Sequence, residues 1–109
     1  MDFDRHQNDL RALRKANRTL GAGIARRGMA LVYGGGQVGL MGAVARAAHQ
    51  HEGRVVGVIP GYLRTRELCY ERADELIVTA DLRERKAVME SRADALVALP
   101  GGFGTLEEI

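Results

Sequence analysis

The 109-residue sequence contains no tryptophan, two prolines, one cysteine and only 5% aromatic residues. The lone Cys69 excludes an intrachain disulfide and a cysteine-based zinc cluster within one chain, so a reducing, cytoplasmic setting is expected and no metal is. So few rings leave few platforms for stacking bases. No window approaches the roughly 20 apolar residues of a membrane span, and Met1-Asp-Phe-Asp-Arg-His6 does not read as a signal-peptide core. Charge of one sign is also lacking: sixteen Lys and Arg face fourteen Asp and Glu, for a net charge of +2, and the basic residues are scattered. Neither a nucleic acid nor a membrane is therefore expected as a partner. At 46% hydrophobic and 28% charged, the composition is that of one ordinary globular domain.

What is present in quantity is glycine, and its placement is informative. Eight of the fourteen glycines fall in two runs, Gly34 to Gly42 and Gly101 to Gly104, each directly after a short apolar segment. Asn8 to Arg27 carries Leu10, Leu13, Leu20 and Ile24 at helical spacing and stops at Gly28. Met29 to Tyr33 reads as a strand, and Leu40 to Gln50 as an alanine-rich helix ended by Gly53. Arg54 to Ile59 is the next strand, stopped by Pro60-Gly61, and residues 62 to 74 form a loop with room for one helical turn. Leu76 to Thr79 is a strand, and Asp81 with Glu84 is a capping-box start for a helix through about Arg92. Asp94 to Leu99 is the last strand. Continuous apolar strands alternating with helices predict an α/β, doubly wound, Rossmann-like parallel sheet with helices on both faces.

In a parallel sheet all strand carboxyl ends share one edge, so both glycine runs are expected at one crevice. Pro100-Gly-Gly-Phe-Gly-Thr-Leu-Glu-Glu-Ile109 reads as strand, glycine turn and helix start at Thr105, the layout of a phosphate site. Gly34 to Gly39 matches G-x-G-x-x-G, but the next strand ends Val58-Ile-Pro60 with no acidic residue for ribose hydroxyls, and Glu52 precedes that strand. No Gly-Lys-Ser/Thr follows either run, so a P-loop is absent. Taken alone, Glu108 is a capping-box residue, Arg85 a solvated helix residue and Glu67 a surface charge. His6, His49 and His51 suggest no catalytic constellation; His49 and His51 read as favourable charges at a helix end, and Cys69 as a half-buried apolar residue.

Together Val32-Tyr-Gly-Gly-Gly36, Gly39-Leu-Met-Gly42, Val58-Ile-Pro60, Glu84-Arg-Lys86 and Pro100-Gly-Gly-Phe-Gly-Thr-Leu-Glu-Glu108 resemble the LONELY GUY family of cytokinin-activating phosphoribohydrolases. The resemblance runs from about residue 10 to residue 109. It implies hydrolysis of the N-glycosidic bond of N6-modified adenosine 5′-monophosphates, giving free cytokinin base or adenine and ribose 5-phosphate, with no cofactor. It implies Arg85 and Glu108 as the catalytic pair. Substrate contacts would come from Glu67, Lys86, Gly102, Phe103, Gly104, Thr105, Leu106 and Glu107, with Gly35 and Gly36 across the crevice. A homodimer is also implied. Members have been labelled lysine decarboxylases, but neither Lys15 nor Lys86 sits in a recognisable pyridoxal-phosphate setting. A non-catalytic nucleotide carrier, or an inactive fragment, is the alternative. Against the family pattern, the usual first strand and the elements after the glutamate are not found, so residues 1–109 are expected to be an incomplete nucleotide-binding domain with weak activity alone.

Overall fold

The computed structural model describes residues 11, 15–16, 18–37, 39–65, 68–99 and 102–108. Helix α1 covers residues 18–26. Then follow β1 (Met29–Tyr33), α2 (Gly39–Gln50), β2 (Arg54–Pro60), a single 3-10 turn at Gly61–Leu63, β3 (Glu75–Thr79), α3 (Leu82–Ser91), β4 (Ala95–Leu99) and β5 (Gly102–Glu108). The strands form one sheet in the order β3-β2-β1-β5-β4. β1, β2 and β3 pair in parallel, while β5 is antiparallel to both β1 and β4. Hence β1 to β4 all point the same way, and β5 alone runs against them.

Apolar residues on the two faces of the strands explain the layering. Leu31, Tyr33 and Val55 face one side, where they pack with Ile24 of α1 and Val44, Ala45 and Ala48 of α2. Val32, Val56 and Val58 face the other, against Met89 and Val88 of α3. Every residue from Val55 to Pro60 is buried, as expected for a strand covered on both faces. α3 starts at the Asp81–Glu84 signal read in the sequence, a variant of the capping box whose return bond goes to the residue before the N-cap. Glu84 N–H donates to Asp81 Oδ1 at 2.8 Å, and Ala80 N–H donates to Glu84 Oε2 at 3.0 Å.

Two expectations are corrected. The segment from Thr105 was read as a helix start after a glycine turn, and it is a strand, in a mixed sheet rather than an all-parallel one. The physical reason is backbone satisfaction. Residues 102–108 lie between β1 and β4, which supply partners on both sides, whereas a helical first turn leaves four N–H groups unpaired. Gly53 was read as the glycine that ends α2, and the left-handed residue is Glu52, with φ 63°. Gly53 serves a steric need instead, since a Cβ there would lie 2.7 Å from Ala25 Cβ.

Candidate functional site

Chain order reverses between β1 and β4, because β2 and β3 lie on one side of β1 and α3 carries the chain back to the other. In open α/β sheets the crevice at such a reversal, outside the strand carboxyl ends, is where ligands bind. Three sequence features meet there. The first is Gly34 to Gly36, immediately after β1. Gly35 has φ +77°, a conformation that side chains disfavour. Tyr33 O–H donates to Gly36 O at 2.5 Å and so pins the loop; burial, followed by the nearby Tyr70, raises the Tyr33 phenol well above its ordinary value.

The second is Arg85. Its Nε donates to Val58 O at 2.8 Å and its Nη2 donates to Gly34 O, so α3 delivers a guanidinium to the ends of β1 and β2. A Cβ at Gly34 would overlap that guanidinium as it now lies, so a side chain there would have to shift Arg85. Arg85 is half-buried, and loss of solvent pulls its pKa below the ordinary arginine value. It pairs with no carboxylate among the described residues, leaving donor capacity for an anion. Lys86, one residue on, is exposed.

The third is the β5 end of the second glycine run. The register pairs Tyr33 with Gly104 and Leu99 with Gly102, so Gly102 to Gly104 reach the same edge as Gly34 to Gly36. That expectation of a shared edge holds.

The rest of the motif leads away from it. Thr105 is opposite Val32 and fully buried, its hydroxyl making only long bonds to Val32 O (3.4 Å) and Met89 O (3.5 Å). Leu106 packs partly buried beside the Leu31 cluster. Glu107 is opposite Ala30, and its carboxylate receives Arg92 Nε and Nη2, both at 3.0 Å. The Glu108 backbone lies opposite Met29, roughly 13 Å along the strand from Gly104. Arg85 and Glu108 are therefore at opposite ends of β1. Glu67 lies outside the described residues.

Sequence reading missed three polar groupings. His49 Nδ1 bonds Tyr70 OH at 2.5 Å, and its Nε2 bonds Asp74 Oδ2 at 2.8 Å. With a neutral ring, the acceptor-only carboxylate places the proton on Nε2, so Tyr70 O–H donates to Nδ1. His49 thus ties the end of α2 to the loop before β3, beyond the helix-end role read for it. Burial pushes the Asp74 carboxyl up, but bonds from Val55 N–H and His49 outweigh this and leave it below its ordinary value. Arg92 clamps Glu75 as well as Glu107, and that pairing lowers the Glu75 carboxyl. The third grouping, around Arg46, Arg64 and Arg72, is taken up below. Cys69 is fully rather than half buried, and burial raises its thiol. Among the described residues no group of three or more His, Cys, Asp or Glu could hold a metal ion, and no helix is long and apolar enough to cross a membrane.

Comparison with known proteins gives this edge a context. The family model described as "Possible lysine decarboxylase" matches residues 41–109. A cytokinin riboside 5′-monophosphate phosphoribohydrolase of Mycobacterium marinum is 58% identical over 90 residues, covering 83% of this chain and 48% of the relative. The protein of the same name in Mycobacterium tuberculosis has the same identity and coverage. A rice protein named probable cytokinin riboside 5′-monophosphate phosphoribohydrolase LOGL5 is 51% identical over 90 residues, covering 83% of this chain and 37% of the relative. The chain spans about half the length of the mycobacterial relatives it matches.

Proposed function

The chain belongs to the LONELY GUY family, and from that premise we propose that it hydrolyses the N-glycosidic bond of adenosine 5′-monophosphates, N6-prenylated ones preferred, to free base and ribose 5-phosphate. The observation that carries this reading is Arg85, a guanidinium without a carboxylate partner among the described residues, fixed between two glycine runs at the sheet's topological switch point. Glycine backbones allow close approach of a phosphate, and a rigid two-pronged donor recognises its oxygens or orients the leaving base.

Cleavage of a ribosyl C–N bond passes through an oxocarbenium-like state, for which a carboxylate near the anomeric carbon stabilises positive charge or takes a proton from water. Glu108 is assigned that role, with Glu67, Lys86 and residues 102–107 as nucleotide contacts. The assignment carries a conformational requirement. β5 holds the Glu108 backbone at the far end of β1, so in the competent state residues 105–108 leave the sheet and form the helical first turn that Thr105 and Glu108 encode as a capping box. The strand position is also the observation that favours a second reading, nucleotide binding without turnover.

A homodimer in the cytoplasm belongs to the same proposal. It is supported by Leu96, an apolar side chain 73% exposed on β4, the outermost strand of the sheet among the described residues. Base release from N6-prenylated adenosine monophosphate, followed by chromatography, tests the catalytic reading. Glu108→Ala is expected to lower the rate on the order of a hundredfold or more. Binding of nucleotide with no release by the parent protein would select the carrier reading.

A further inference from the structure

On the face of the sheet opposite α3, a cleft of about 480 Å³ opens between α2 and the loop preceding β3. Arg46, Arg64 and Arg72 line it together with Thr65 and Gln37, and the lone carboxylate among its lining residues is Glu71. Its floor is built from two loops fastened to each other. Gln37 N–H donates to Leu68 O at 3.0 Å, Tyr70 N–H donates to Gly35 O at 2.7 Å, and Gly36 and Cys69 form a β-bridge.

Two of the three guanidiniums are held in place. Arg46 Nη1 donates to Gln37 O at 2.5 Å, and Arg64 makes a two-pronged pair with Glu71, 3.1 Å for each bond. The Arg64–Glu71 pair is about half exposed on both sides, so it contributes little to stability and can yield a donor to a competing anion. Arg72 is exposed and makes no ion pair among the described residues. Three positive charges, two of them held in place, against one negative, in a concave site with a threonine hydroxyl, match a small dianion better than any neutral ligand. The positive field is already felt by the cleft's own groups, since Arg72 and Arg46 each act to lower the Tyr70 phenol against the larger opposing effect of its burial.

We propose that this cleft is a second anion site, for a phosphate group, separate from the Arg85 edge. The geometry says what occupancy would do. A phosphate bridging Arg46 of α2 to Arg64 and Arg72 would cross-link α2 to the 64–72 loop, and the backbone bonds above connect that loop to Gly35 and Gln37 beside the candidate site. Free phosphate and the phosphate of a monoester share the chemistry required, and the experiment separates them.

The test is a titration of the whole protein at low ionic strength with inorganic phosphate and, separately, with a nucleoside 5′-monophosphate. It is read by calorimetry and by amide shifts at Gln37, Thr65, Cys69 and Arg72. Saturable binding is expected, weakened about tenfold or more by the double variant Arg46→Gln/Arg72→Gln, kept by Arg85→Gln, and falling as salt rises. Thermal melts of the variants verify that they fold. Saturation by either ligand with this pattern supports the site and identifies its source. No saturable binding, or binding abolished by Arg85→Gln and untouched by the double variant, overturns it. Failure here leaves the hydrolase reading standing, because base release depends on Arg85 and not on this cleft.

Discussion

Glu52 holds a backbone conformation that glycine would adopt without strain. It follows α2, and the two bonds Gly53 N–H to Ala48 O (2.7 Å) and Glu52 N–H to His49 O (3.0 Å) form a Schellman cap whose left-handed residue is a glutamate. Removing its Cβ relieves strain worth on the order of 1 kcal/mol, partly offset by the greater freedom of glycine in the unfolded chain. Glu52→Gly is expected to raise the melting temperature, which calorimetry would show; a lowered one would mean that φ 63° is not strained in this setting. Asp74 makes the opposite case. Its Oδ2 accepts both the Val55 N–H at 2.7 Å and His49 Nε2. Asp74→Ala leaves the N–H of a fully buried residue without its partner, a loss of about 1 to 3 kcal/mol in chemical denaturation. The pH dependence follows from the direction of the shifts. Asp74 and Glu75 both have folded pKa values below their unfolded ones. Their stabilisation is therefore complete above the unfolded carboxylate value of about 4 and is lost as pH falls through the lower folded values. Stability that did not fall between pH 4 and pH 2 would contradict this assignment.

At the scale of elements, what the sequence revealed depended on how local the determining physics was. Met29–Tyr33 coincides with the expected strand residue for residue, and β2, β3, α2, α3 and β4 begin and end within one residue of their expected bounds. Apolar runs, alanine packing and the Asp81–Glu84 box all act within a few residues, so they are readable from the chain. The shared edge of the two glycine runs was likewise legible through the rule that parallel strands end together, whereas Arg85 was singled out only by the family resemblance and by itself read as a solvated helix residue. β5 was not legible. Its conformation is decided by pairing with β1, distant in sequence, as well as with β4 just before it, against a local signal that favours a helix start. The same holds for His49, whose partners Tyr70 and Asp74 lie 21 and 25 residues away. The conflict within 102–108 predicts a measurable bias. Thr105 is buried with only long hydrogen bonds, so the near-isosteric Thr105→Val favours the strand. It also removes the capping hydroxyl of the competing helix, so stability is expected to rise by up to about 1 kcal/mol while base release falls. A variant that lost stability and kept full activity would show that the two states do not compete.

For the whole molecule, four co-directional strands, helices on both faces and a reversal of chain order put one crevice at one edge, and Arg85 is the charged side chain the fold anchors there. The account rests on that guanidinium. Its most direct test is the rate of free-base release from N6-prenylated adenosine 5′-monophosphate by the protein and by Arg85→Ala, with circular dichroism verifying that both are folded. The account predicts turnover by the parent and a loss on the order of a hundredfold or more in the variant. Equal rates from both, or release that does not require the 5′-phosphate, would contradict it.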